Sequence, residues 1–159
     1  MFRQMNLNAM QLKRLSAAAI IAVIALVSAV AGEVSLFNQR GEPVAYIDTY
    51  DEYTIYLWSG EPVAYLTDSS AHGSLAVYGF NGKLLGWYVD GAIYDRNGGV
   101  SGFTKGCCPL YEPYTKYEPY KGYKRYKPYR SYREYESYRP YLRRQWGQDL
   151  SLLLRTGSR

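Results

Sequence analysis

The sequence predicts an all-β protein: a small pseudo-fourfold repeat of β-hairpins, about eight short antiparallel strands in all. An N-terminal signal or anchor helix precedes it, and an extended tail, disordered or polyproline II-like, follows. Three observations carry this reading. Four glycines, Gly41, Gly60, Gly82 and Gly98, bring residues 33–106 into alignment as four copies of one pattern. Each glycine sits in a turn signal between two apolar runs. Beyond the last copy, eleven tyrosines occupy every third position from Tyr111 to Tyr141.

The repeat is carried by five columns. Four residues before each glycine stands an aromatic: Phe37, Tyr56, Tyr78 and Tyr94. An aliphatic precedes it every time: Leu36, Ile55, Val77 and Ile93. Four residues after each glycine lies a small residue, Ala45, Ala64, Gly86 or Gly102, followed by an aromatic, Tyr46, Tyr65, Trp87 or Phe103. Each copy therefore reads as strand, turn, strand. Asn81-Gly82 and Asn97-Gly98 predict two-residue hairpins with both turn residues at positive φ. Arg40-Gly41 and Ser59-Gly60 fill the same slot. Asp90-Gly91 predicts a tight connection between the third and fourth copies, and Thr67–Ser74 is the longest loop. Four such hairpins can close around a pseudo-fourfold axis, which leaves no free sheet edge. The small residues would let backbones approach closely near that axis.

These motifs, over Leu36–Tyr46, Ile55–Tyr65, Val77–Trp87 and Ile93–Phe103, resemble the 4-fold beta flower family. The resemblance implies the fold and an exported context, and it brings no activity or functional residues to carry over. It covers residues 33–106, with the tyrosine tail outside. The fourth copy departs most, since Gly-Gly-Val-Ser-Gly-Phe replaces a bulkier second strand.

Charge divides the chain in the same way. Residues 1–31 carry Arg3, Lys13 and Arg14 and no acid, residues 32–106 have a net charge of −5, and residues 107–159 a net charge of +7. The N-terminal segment has a basic start, an apolar run from Leu15, and Ala29 and Ala31 before Gly32. That is the pattern of a cleaved export signal, so a periplasmic, cell-surface or secreted protein is expected. A membrane anchor over residues 15–31 is the alternative.

The period of three selects the backbone of the tail, residues 107–145. On an α-helix, steps of three drift by about 60° and would spread the rings over all faces. On a strand they would alternate sides. A threefold screw such as polyproline II stacks them along one edge, and proline precedes tyrosine at Pro113, Pro119, Pro128 and Pro140. The expected object is a rod with an aromatic stripe and a charged back. Candidate partner-binding residues are Tyr114, Tyr117, Tyr120, Tyr123, Lys124, Arg125, Tyr126, Tyr129, Arg130 and Tyr132. Rings interleaved with cations suit an anionic or polysaccharide polymer of an envelope or matrix. They also suit self-association, through the tail or through Cys107 and Cys108. Single-stranded nucleic acid is the partner only if the N-terminal segment is not an export signal. The basic tail can also meet the acidic middle of its own or a neighbouring molecule. Residues 146–159, with Leu150, Leu152, Leu153 and Leu154, form a short apolar docking segment.

Little in the chain suggests chemistry. His72 is the only histidine and lies in a polar loop. The carboxylates Asp48, Asp51, Glu52, Asp68, Asp90 and Asp95 fall near turns, where aspartate is ordinary. No calcium-loop or phosphate-loop spacing occurs. The reading is therefore not an enzyme, with no cofactor and no metal. Trp58 and Phe80, beside turns and off the repeat columns, are candidates for stacking on a carbohydrate or other ligand. The alternative function is thus a ligand-binding module acting through the β-domain, with the tail as tether.

Overall fold

A computed structural model describes residues 32–107, 121–123, 126–129 and 132–158. The expected export signal lies outside these residues, as do Cys108, Tyr114, Tyr117, Tyr120, Lys124, Arg125 and Arg130. Eight strands follow one another: β1 (Glu33–Phe37), β2 (Pro43–Asp48), β3 (Thr54–Leu57), β4 (Pro62–Asp68), β5 (Leu75–Gly79), β6 (Leu84–Val89), β7 (Ala92–Asp95) and β8 (Val100–Thr104). Each pairs antiparallel with the next, and β8 returns to β1 through Leu36–Thr104 and Phe37–Phe103. The result is a closed barrel in which every strand has two neighbours.

The four copies are equivalent in register. Every hairpin carries a bulge at the same place, after Leu36, Ile55, Val77 and Ile93. In every turn the glycine N–H donates to a carbonyl three residues back: Asn38, Leu57, Gly79 and Asp95. The glycines have φ of 72°, 86°, 84° and 81°, while Arg40, Ser59, Asn81 and Asn97 are not at positive φ. This corrects the two-residue hairpins expected at Asn-Gly. The turns are longer, with a type I bend followed by one left-handed glycine, so the residue before the glycine is unconstrained and is Arg or Ser in two copies. Asp90-Gly91, with φ of 47° and 87°, does have both residues at positive φ.

Alternation along the strands builds two shells. Leu36, Ala45, Ile47, Ile55, Ala64, Val77 and Ile93 are sealed from solvent on the inner face. Gly86 belongs to the same face; a β-carbon there would lie 1.9 Å from the Tyr94 carbonyl oxygen. The other face holds a belt of aromatics: Phe37, Tyr46, Tyr56, Tyr65, Tyr78, Trp87 and Phe103, all buried. Tyr46 stacks on Tyr56 at 5.4 Å and Tyr65 on Tyr78 at 6.3 Å. A belt on the outside of a barrel stays buried only if something covers it.

The tail does so, and the C-terminal segment packs instead on the inner face, against Gly102 and Gly79. The apolar segment at the C-terminus forms a short helix, α1 (Leu150–Arg155), capped by the Asp149 side chain, which accepts from the Leu152 N–H. Leu150, Leu153 and Leu154 face the barrel, and Leu152 faces solvent. Leu150 packs on Gly102, and Gly157 lies against Gly79. The tail covers the belt. Residues Gly32–Arg159 consequently form one compact unit, so the division expected after residue 106 marks a change of role within it.

Candidate functional site: the tyrosine ridge and the strap beneath it

The described tail runs outside α-helix and strand, apart from a single bridge between Trp146 and Val100. It is held to the hairpin turns by its backbone. The Gly122 N–H donates to the Gly60 carbonyl at 2.7 Å, the Glu134 N–H to Gly82 at 2.8 Å, and the Arg143 N–H to Gly98 at 2.8 Å. The acceptors are the repeat glycines of the second, third and fourth copies. The donors are twelve and nine residues apart, both multiples of three, so each tail residue returns to the same orientation at every attachment.

The residue following a tyrosine points to the barrel. Lys121 Nζ lies 5.7 Å from the Tyr46 ring centre and 5.8 Å from that of Tyr56. It pairs with Glu33 and, at 2.6 Å, with Asp48. Burial alone would lower the ammonium pKa, yet the hydrogen bonds to Asp48 and Glu33 outweigh it and hold the pKa above the usual lysine value. Lys127 lies 4.9 Å from the Tyr65 ring centre and donates to the Glu52 carbonyl. The Arg133 guanidinium lies 5.1 Å from that of Tyr78. These cation–π contacts are spaced by six residues and draw on the negative faces of the belt rings.

Glu136 occupies the same phase. It accepts from the Ser69 hydroxyl, from the Ser70 N–H at 2.9 Å and from Trp87 Nε1 at 3.0 Å. Burial pushes its pKa up, but these donors outweigh burial and leave it below the ordinary glutamate value. Its neighbour Glu134 accepts from the Leu84 N–H, and its backbone carbonyl accepts from the Tyr78 hydroxyl. Tyr78, Ser69 and Ser70 also line a polar groove of about 540 Å³ with Asp68, Arg133 and Tyr135.

The tyrosines face away. Tyr123, Tyr126, Tyr129, Tyr132, Tyr135, Tyr138 and Tyr141 are all between 78 and 96 % exposed. Of the sequence candidates, Tyr123, Tyr126, Tyr129 and Tyr132 thus fall on one outward ridge. The charged back of the rod lies against the barrel, and its inward members Lys121, Lys127, Arg133 and Glu136 were not among the candidates. The signal that could have found them was the charge asymmetry read at the same period of three.

The two proposed stacking residues part company. Phe80 is not a surface for a ligand: it is 9 % exposed and packs in the core with Tyr65, Tyr78, Leu84 and Trp87. Trp58 is half-buried, edge-on to Tyr46 at 6.0 Å. Its indole N–H is shielded and meets no acceptor among the described residues. His72 is exposed in its loop, and Cys107 is exposed. Among the described residues no group of His, Cys, Asp or Glu could hold a metal, and no helix is long and apolar enough to cross a membrane.

Comparison with curated proteins and with solved structures finds no match. A family model described as "4-fold beta flower protein" matches residues 34–153. The match runs past the four copies, through the tail and into α1, further than the resemblance at residues 33–106 reached. The closed ring of four hairpins and this match agree, and the chain belongs to the 4-fold beta flower family.

Proposed function

We propose that this is a non-enzymatic exported protein that attaches to an envelope or matrix polysaccharide through the tyrosine ridge. One observation carries the reading: seven consecutive tyrosines of the period project outward from a strap that is fastened to the barrel. Strapping the chain down removes much of the entropy that a free tail would lose on binding, which favours a ridge over a flexible tether. The inward position of Lys121, Lys127 and Arg133 leaves a ridge that is mainly phenolic. Phenol faces stack on sugar rings and donate hydrogen bonds at their tips. A partner chosen chiefly for negative charge would instead favour cations on the outer edge, so neutral or weakly charged polysaccharide fits better than nucleic acid. Export is the context that the N-terminal segment suggests.

The test is co-sedimentation of residues 32–159 with purified envelope polysaccharide, comparing the native chain with a variant carrying serine at Tyr123, Tyr126, Tyr135, Tyr138 and Tyr141. These rings are 88 to 96 % exposed, so the fold should persist by circular dichroism. Loss of sedimentation supports the ridge. Equal sedimentation of both chains would sink it and direct attention to the half-buried Trp58.

A further inference from the structure

The tyrosines of this protein fall into two chemically distinct sets. Those of the belt are enclosed. The Tyr56 hydroxyl donates to Asp51 at 2.6 Å and the Tyr78 hydroxyl to the Glu134 carbonyl at 2.9 Å. Burial, with the neighbouring acids, raises the pKa of both. The Tyr65 hydroxyl is shielded as well. The ridge tyrosines are 78 to 96 % exposed to solvent. They are held in one file by a strap whose backbone is fixed at the hairpin turns, so they cannot fold back into the belt. Within the file, the rings of Tyr129 and Tyr132 are already 6.5 Å apart.

We infer that the ridge is a site of oxidative phenol coupling that joins copies of this chain covalently. The required co-reactant is a one-electron oxidant of the haem-peroxidase class supplied with hydrogen peroxide. Each phenol loses one electron and one proton to give a phenoxyl radical. Two radicals join through the ring carbons ortho to the hydroxyl, forming one C–C bond. The two ortho C–H bonds are broken and their protons return the two phenol oxygens to O–H. Overall two hydrogen atoms are removed, and one peroxide is reduced to two waters.

Valency distinguishes the ridge from ordinary exposure. Tyr50 is 78 % exposed but stands alone on a barrel turn. One reactive phenol per chain stops at a dimer. Seven in a file allow a chain to bond to several others, and the product is a network. Tyr129 and Tyr132 would in addition couple within one chain, a product that dilution does not suppress.

The inference shares its surface with the proposed function but not its chemistry. Replacing all eleven period tyrosines with phenylalanine keeps aromatic faces for stacking and removes the phenols. The experiment treats residues 32–159 with peroxidase and hydrogen peroxide, following dityrosine fluorescence, a denaturing gel and peptide mapping. The native chain should give a ladder beyond dimer with links mapped to the ridge, Tyr50→Phe should keep the ladder, and the phenylalanine variant should lose it. A ladder that survives in the phenylalanine variant, or links mapped chiefly to Tyr50 or to belt tyrosines, would overturn the inference. So would a native chain that stays monomeric while free tyrosine in the same tube couples. Polysaccharide sedimentation of the phenylalanine variant, run in parallel, separates loss of coupling from loss of stacking.

Discussion

Leu150 stands over Gly102, so close that a β-carbon on the glycine would lie 2.5 Å from the leucine Cδ2. The fully buried leucine is the point at which α1 enters the barrel. Leu150→Ala should therefore cost about 2–5 kcal/mol, the range for deleting a buried leucine. Gly102→Ala should displace the helix. Both should lower the denaturant midpoint, and an unchanged midpoint for Leu150→Ala would show that the helix is not needed.

Gly86 and its repeat equivalent Ala64 should respond very unequally to exchange. A β-carbon at Gly86 would overlap the Tyr94 carbonyl at 1.9 Å, and backbone cannot retreat as a side chain can. Gly86→Ala should lose well over the ~1–3 kcal/mol of ordinary overpacking. Ala64→Gly should cost only about 1 kcal/mol through chain entropy and a lost methyl. Thermal melts of the two variants decide this.

Lys121 is the lowest-numbered described tail residue to reach the belt. Lys121→Met removes a cation that sits beside two stacked tyrosines and leaves the buried Asp48 without its ammonium partner. The expected effect is local: faster hydrogen exchange at the Gly122 amide, which is bonded to Gly60, with little change at Arg143. Uniform acceleration along the tail would show that the attachments open as one.

Acid should loosen the strap at Glu136. Its folded pKa lies below the ordinary glutamate value, so the folded state binds fewer protons than the unfolded one in that window. The stability it contributes is present above the ordinary carboxylate pKa and is lost as pH falls through the depressed folded value. Trp87, which donates to Glu136, should report the change in fluorescence. Glu136→Gln should weaken the attachment at neutral pH and flatten this acid response.

The barrel and the strap should prove inseparable. A fragment ending at residue 106 would leave Tyr46, Tyr56, Tyr65, Tyr78 and Trp87 without the chain that covers them. It should bind a hydrophobic dye and lack a cooperative melt, whereas residues 32–159 should melt cooperatively. A cooperative melt of the short fragment would mean that the belt can tolerate water.

The strands were legible because their causes are local. Repeated glycines, alternating apolar residues and turn chemistry all act within one hairpin, and four copies reinforced one another. The turn type was misread because Asn-Gly serves both a two-residue hairpin and a longer one. The Arg40 and Ser59 copies were the sign that only the glycine was constrained. The tail was legible in its period but not in its facing. Which edge of a threefold rod turns inward depends on the belt, and the belt exists only once the barrel closes. Phe80 stayed a candidate for ligand stacking for the same reason: its burial comes from Tyr65 on another hairpin.

Attachments spaced by twelve and nine residues constrain how this protein can change length. One residue inserted between two attachments would turn every later tyrosine toward the barrel and move the later inward cations off it. Three residues inserted there would restore the phase and lengthen the ridge by one ring. Viable length variants of the strap should therefore differ by whole triplets of amino acids, a reading frame imposed by the shape of the folded protein in addition to that of the genetic code.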